Sequence, residues 1–223
     1  MGLARSSTMQ PPVHRLNATS GRWGGVVEWL SFLRGFARDP LRTGSIAPSS
    51  RPLAEGMVGT SNLRQAKLVV ELGPGTGAIT AEILPRLGRE TRFFAMEIDP
   101  FHVCELRRRF PGVCVYAASA ERIGAYLDSS SGEGVDCLIA CLPWSGMPYA
   151  LEKSILTAVW DALAPLGTFR FFNYLSGRFL PGSRRFHRLL RGSFECCSAE
   201  RIVWRNLPPA IIYHCSGKTN RPQ

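Results

Sequence analysis

The stretch KLVVELGPGTGAIT, Lys67 to Thr80, limits the folds open to this chain more than any other segment. Leu68-Val69-Val70 is a β-rich apolar run that ends at an acid, Glu71, and glycines follow at positions 73, 75 and 77. A helical pattern then begins at Ala78. Strand, glycine loop and helix in that order form the ligand-holding corner of a βα unit. The alternation continues along the chain. Spacing and turn residues predict strands over 68–71, 92–97, 113–117, 135–141 and 167–173, with helices over 78–87, 101–110, 120–127 and 151–163. Repeated βα units require a parallel sheet with right-handed crossovers. RIVWRNLPPAIIYHC, Arg201 to Cys215, reads instead as two strands joined at Asn206-Leu207-Pro208-Pro209. The expected fold class is α/β, a mostly parallel seven-stranded sheet with a C-terminal antiparallel hairpin.

The ligand of the loop follows from its spacing and its acid. A dinucleotide fingerprint needs G-x-G-x-x-G, whereas this loop runs Gly73-Pro74-Gly75-Thr76-Gly77. No Lys-Ser/Thr pair follows, so it is not a P-loop. A carboxylate at the entrance repels pyrophosphate and attracts a cation. S-adenosylmethionine, with an ammonium and a sulfonium and no phosphate, meets that requirement. Glu97 stands twenty residues after Gly77 at the end of the next strand, where an acid accepts from ribose hydroxyls, with Ile98 beside it. Ser119, Ala120 and Glu121 follow the third strand, where the adenine edge is held, and Cys141 ends the fourth. The expected cofactor site is therefore Glu71, Gly73, Pro74, Gly75, Thr76, Gly77, Glu97, Ile98, Ser119, Ala120, Glu121 and Cys141.

The fourth strand runs into CLPWSGMP. Cys141-Leu142-Pro143-Trp144 resembles the N-P-P-Y or N-L-P-Y motif of methyltransferases acting on amino nitrogens, with Cys in place of Asn. A backbone carbonyl at Cys141 or Leu142 would accept a hydrogen bond from an amine, and the Trp144 indole would stabilise the positive charge that develops on it. Leu142, Pro143, Trp144 and Tyr149 are the expected catalytic residues. The alternative is a proline turn with Trp144 in the core. No general base stands out, since His102 and His187 lack a motif and read as surface residues.

The ends of the chain bear on partners. The net charge of +10 attracts polyanions, either nucleic acid or an anionic membrane, and nine basic residues against two acids lie between Gly177 and Gln223. Residues 1–20 hold no acid and no apolar periodicity, so a disordered leader is expected there. In RWGGVVEWLSFLRGFARDP, Trp23, Val26, Val27, Leu30, Leu33 and Ala37 follow helical spacing, and Trp29, Phe32 and Phe36 widen the apolar face. Such a helix packs on a core or lies on anionic lipid, and the two roles can coexist. A second helix is expected to start at Ser49 or Ser50 and run through Leu53, Ala54 and Met57. No apolar run is long enough to span a bilayer. Seven cysteines without a C-x-x-C pair indicate neither a metal site nor a disulfide framework, and reduced thiols are the simplest reading.

FLRGFARDPLRTGSIAPSSRPLAEGM, ELGPGTGAIT, LPW and VWRNLPPA, in that order, resemble the bacterial phospholipid N-methyltransferases, relatives of the rRNA adenine dimethyltransferases. The resemblance covers roughly residues 29–213. It implies a Rossmann-like S-adenosylmethionine-dependent fold and methylation of phosphatidylethanolamine towards phosphatidylcholine, without a metal. It also implies a cytoplasmic protein, peripheral at the inner face of the cell membrane on anionic lipid. Trp29, Phe32, Phe36, Ser49, Arg51 and Arg205 would then meet the lipid, with Arg51 or Arg205 on the head-group phosphate. Residues 21–60 would cap a methyltransferase domain at 61–215, followed by a disordered tail at 216–223. Other readings stay open: an rRNA adenine N6-methyltransferase, an enzyme of another aminolipid such as an ornithine lipid or of a soluble amine, and a non-catalytic binding module. Against nucleic acid, the sequence ends soon after the hairpin, where rRNA dimethylases continue into a helical RNA-binding domain.

Overall fold

The computed structural model describes residues 49–59, 61–127 and 134–222. The expected leader and the first amphipathic helix, with Trp29, Phe32 and Phe36, lie outside the described residues. Seven strands form one sheet in the order β3-β2-β1-β4-β5-β7-β6. They are β1 (Leu68–Leu72), β2 (Arg92–Glu97), β3 (Cys114–Ala117), β4 (Val135–Ala140), β5 (Leu163–Tyr174), β6 (Phe194–Val203) and β7 (Ala210–Lys218). Strands β1 to β5 pair in parallel, while β7 runs antiparallel to both β5 and β6. Every residue of β1 is buried, as a central strand covered on both faces must be.

Five α-helices are described: α1 (Arg51–Val58), α2 (Ala78–Ile83), α3 (Pro100–Arg109), α4 (Tyr149–Ala162) and α5 (Pro181–Ser193). Ser50 caps α1 by accepting from the Leu53 N–H, with Pro52 in the first turn. Asp99 caps α3 by accepting from Phe101 N–H at 2.8 Å, and Arg107, Arg108 and Arg109 fill its last turn, where cations complement the dipole. The helix expected over 78–87 ends at Ile83 and tightens into a 3-10 turn, Leu84–Arg86, because Pro85 lacks the N–H to continue it. The segment Ala120–Tyr126 is likewise 3-10.

The sheet divides the core in two. Leu68, Val70 and Leu72 face α4, α5 and Trp144, while Val69, Cys137 and Ile139 face α1 and α2 through Leu53, Met57, Ile79 and Ile83. Helix α5 was not anticipated, although Pro181 followed by Phe186 and Leu190 carries the helical spacing. Two further expectations fail. The tail from residue 216 is not disordered: β7 runs to Lys218, Thr219 N–H donates to Ser193 O at 3.0 Å, and Arg221 pairs with Asp161 at 2.9 Å. Cys197 and Cys215 are not free thiols. They lie opposite each other on β6 and β7, with Cα atoms 4.1 Å apart, and are bonded through sulfur.

Candidate active site

The chain leaves β1, fills the β2 and β3 positions on one side, and returns to place β4 on the other. That reversal opens a crevice beyond the carboxyl ends of β1 and β4. The glycine loop forms one wall. Gly73, Gly75 and Gly77 have φ of 69°, 53° and 79°, in the left-handed region that favours glycine. A Cβ on Gly73 would come within 2.6 Å of Leu142 and 3.2 Å of the Cys141 carbonyl, so the loop after β1 packs directly on the loop after β4. A Cβ on Gly77 would strike Phe110 at 2.6 Å. Beside Gly75 there is only open space, so this is where the loop leaves room for a ligand.

Two acids border the loop in different ways. Glu71 is fully buried; its Oε2 accepts from Thr80 Oγ1 at 2.6 Å, and its Oε1 has no partner among the described residues. Burial pushes its carboxyl up to about 8, opposed by the Thr80 hydrogen bond and assisted by the nearby Glu97 charge. Glu97 instead accepts from three backbone donors: Gly75 N–H at 2.9 Å, Ile98 N–H at 2.7 Å and Asp99 N–H at 2.9 Å. It thereby ties the glycine loop to the end of β2. Arg109 holds the loop from the other side by donating to the Thr76 carbonyl. The third loop joins the same frame, since Ala118 N–H donates to Glu97 O and Ser119 Oγ donates to Glu121 Oε2 at 3.2 Å. Pro74 and Ala120 are buried, while Thr76 is exposed.

Cys141 closes the crevice, its N–H donating to Leu72 O at 2.8 Å. Burial, then the Glu71 and Glu97 acids, holds its thiol well above the usual range. Leu142 O already accepts from Trp144 N–H at 2.9 Å, and Pro143 has no N–H to offer. Trp144 itself has no exposed surface. Phe186 stacks on its ring at 4.3 Å, and Phe169 and Phe171 meet it edge-on. The expectation that its indole faces the substrate amine is not met in this arrangement; core packing took the ring. Tyr149 is partly exposed, but the Arg185 guanidinium sits 4.9 Å from its ring centroid and also pairs with buried Glu152 at 3.1 Å. A second cation has no place on that face.

Of the residues expected to meet lipid, Ser49 is half-buried, and Arg51 and Arg205 are exposed. Arg51 pairs with Glu55 at 2.9 Å, not with a free anion site. Ser50 N–H donates to Asn206 Oδ1 at 3.0 Å, and Leu175 N–H donates to Pro209 O at 2.7 Å. These bonds hold the 204–209 turn at the same sheet edge as the glycine loop. Thr80, Arg109 and Asn206 were missed in the sequence. Only Thr80 gave a signal, a hydroxyl in the first turn of the helix behind the acid.

An orphaned buried carboxyl oxygen at the switch point, with open room beside a left-handed glycine, fits a cationic ligand and not a phosphate. Among α/β folds, this strand order with that chemistry defines the Rossmann-like S-adenosylmethionine-dependent methyltransferases. No protein-family model matches the chain. It is 31% identical over 193 residues to the ornithine lipid N-methyltransferase of Singulisphaera acidiphila, covering 85% of this chain and 96% of that protein. The chain belongs to the same family as that enzyme, and S-adenosylmethionine is its methyl donor. A shorter likeness, 38% over 60 residues, links 27% of the chain to 19% of the ribosomal RNA small subunit methyltransferase A of Halothermothrix orenii. Among solved structures, the O-methyltransferase TomG of Streptomyces achromogenes shares the fold, with a TM-score of 0.62 at 17% identity over 88% of this chain and 97% of that one.

Proposed function

We propose that this protein transfers methyl groups to the amine of a membrane aminolipid, with an ornithine lipid as the first substrate and phosphatidylethanolamine as the second. The observation that carries the reading is the identity to an ornithine lipid N-methyltransferase across nearly its whole length. It supports the ornithine head group over the phosphatidylethanolamine that the sequence motifs suggest. The similarity to the rRNA enzyme stops at 60 residues and supports only a shared cofactor-binding part.

The site edge supports a lipid substrate. Phe101, Tyr149, Leu180, Trp204 and Leu207 are large apolar residues left exposed, and all stand at the starts of α3, α4 and α5 or on the hairpin turn. Those positions rim the edge where the glycine loop lies. Trp204 is 67% and Leu207 79% exposed, beside the exposed Arg205. Apolar groups interleaved with arginine suit the interface of an anionic bilayer. No helix among the described residues is long and apolar enough to cross a membrane; the exposed apolar rim is what supports the reading of a protein resting on the inner face of the cell membrane.

S-adenosylmethionine supplies the methyl group as an electrophile on a sulfonium. The chain's own part is placement and charge. Glu71 Oε1 would hold the cationic methionyl end, its proton passing to solvent as that charge arrives, while Thr80 fixes Oε2. Glu97 would hold the ribose, accepting a hydroxyl on the Oε2 lone pair its three backbone donors leave open. The Cys141 carbonyl stands against Gly73 at the mouth of the loop and would orient the amine. Trp144, locked under Phe186, makes the loop rigid and does not touch the substrate. Lipid extraction after incubation with labelled S-adenosylmethionine tests the reading. Label in an aminolipid supports it, and label confined to RNA or a soluble amine overturns it.

A further inference from the structure

Between α5, the turn after β5 and the hairpin strands β6 and β7 lies a cavity of about 390 Å³ that the cofactor site does not use. Its size falls in the range of about 300–1,000 Å³ common for small-molecule clefts. Arg178, Arg184, His187 and Arg191 line it, and Tyr213 forms part of its wall. Arg184, His187 and Arg191 share one face of α5 by helical spacing, and Arg178 joins them from the 3-10 turn after β5. No carboxylate lines the cavity, and among the described residues none of these three guanidiniums pairs with an acid. Like charges at this spacing repel, so the helix face gains nothing by itself from their clustering. Burial, then Arg191 and Arg178, also holds His187 below the usual histidine range, so the ring adds no further cation to the cluster.

Two of the arginines stand near the turn that follows β4. A Cβ on Gly177 would lie 2.8 Å from Ser145 Oγ, and one on Gly182 would lie 2.7 Å from Ser145 O. Residues 177 and 182 therefore press against the turn that follows Trp144, and Arg178 and Arg184 stand one and two residues from those contacts. Leu180, between them, belongs to the exposed apolar rim.

Resting on the functional reading above, we propose that this cavity binds the anionic group of the aminolipid head group, a carboxylate or a phosphodiester, while the amine lies at the loop after β4. Guanidinium forks suit both anions by paired, charge-assisted hydrogen bonds. Zwitterionic head groups carry an anion within a few bonds of the amine, so one site for each charge sets the direction in which the amine points.

The test uses the full chain, wild type and Arg184→Gln/Arg191→Gln. Both side chains are exposed at the cavity, so the double variant keeps its fold, checked by its melting curve. Calorimetry with Nα-acetylornithine, glycerophosphoethanolamine and inorganic phosphate separates a carboxylate head group, a phosphate head group and a free anion. The expected result is binding of at least one head-group analogue, roughly tenfold or more weaker in the variant. Affinity for S-adenosylmethionine should be unchanged and KM for lipid raised. Equal analogue binding by both proteins, or inorganic phosphate bound as tightly as either analogue, overturns the proposal. If wild-type protein methylates lipid and the variant's KM does not rise, the cavity fails while the function stands. Analogue binding lost in the variant, with no lipid methylated by wild type, strikes the function and not the cavity.

Discussion

The backbone N–H of Ser50 donates to the side-chain oxygen of Asn206 at 3.0 Å, although 156 positions separate the two residues. Asn206 also donates from Nδ2 to Pro208 O at 2.7 Å and is nearly buried. One carboxamide thus fastens the start of α1 to the hairpin turn. The two segments that most resemble the phospholipid N-methyltransferases, SSRPLAEGM and VWRNLPPA, are a single corner of the molecule. Asn206→Ala should destabilise the protein by about 1–2 kcal/mol, as expected when a buried partner is removed. Hydrogen exchange should show α1 loosened first, with affinity for S-adenosylmethionine unchanged. Unaltered exchange in α1 would contradict the role given to this bond.

Gly75→Ala separates the fold from the site. The residue has a left-handed φ of 53° but open space around its would-be Cβ, so the variant should lose only about 1–2 kcal/mol of stability. It should nevertheless bind S-adenosylmethionine far more weakly, because the new methyl occupies the ligand's room. Gly77→Ala should fail differently, by unfolding, since its Cβ strikes Phe110 and Leu106. Denaturant midpoints and cofactor calorimetry on both variants measure the contrast.

Glu71 gives a pH dependence of defined sign. Its carboxyl is raised from about 4.5 to about 8 in the fold, so the folded chain holds that proton more tightly than the unfolded chain. The contribution to stability is complete below about pH 4.5 and is lost as the pH rises to about 8. Glu71→Gln should flatten the stability curve across that window. A cationic ligand at Oε1 favours the ionised form, so cofactor binding near pH 7 should release a proton, and affinity should climb towards pH 8. Calorimetry in buffers of different ionisation enthalpy reads the released proton, which Glu71→Gln should abolish.

Arg170 and Glu200 form an ion pair between β5 and β6, with Arg170 almost fully buried and donating also to Gly56 O of α1 at 3.2 Å. Removing the acid takes the charged partner from a buried guanidinium and leaves it the Gly56 carbonyl. Glu200→Ala should cost about 3 kcal/mol, the low end for breaking a buried pair because Glu200 is partly exposed. Urea denaturation measures it, and a change within about 0.5 kcal/mol would show the pair to be incidental.

How much of this was legible in the sequence depends on the range of the interaction. The βα alternation, the glycine loop, Glu97 at the end of β2 and Ser50 as a cap are local patterns, and periodicity or spacing carries them. The Thr80 bond to Glu71 and the Arg109 bond to Thr76 depend on how α2 and α3 dock. Trp144 was ambiguous because an aromatic after a proline serves a substrate or a core equally well. Only the packing of Phe186 from α5 decides, and the apolar spacing of α5 rests on Phe186 and Leu190 amid basic residues. The Cys197–Cys215 contact needs the register of β6 against β7, which no spacing of cysteines encodes.

The central claim is methyl transfer to an aminolipid nitrogen, and mass spectrometry of lipids from reconstituted vesicles tests it most directly. Vesicles holding equal amounts of ornithine lipid and phosphatidylethanolamine in an anionic bilayer are incubated with the protein and deuterium-labelled S-adenosylmethionine. The account predicts labelled methyl on the δ-nitrogen of the ornithine lipid first, then on phosphatidylethanolamine, and none with Gly75→Ala. Label absent from every lipid, while ribosomal RNA or a soluble amine in the same mixture carries it, would contradict the account.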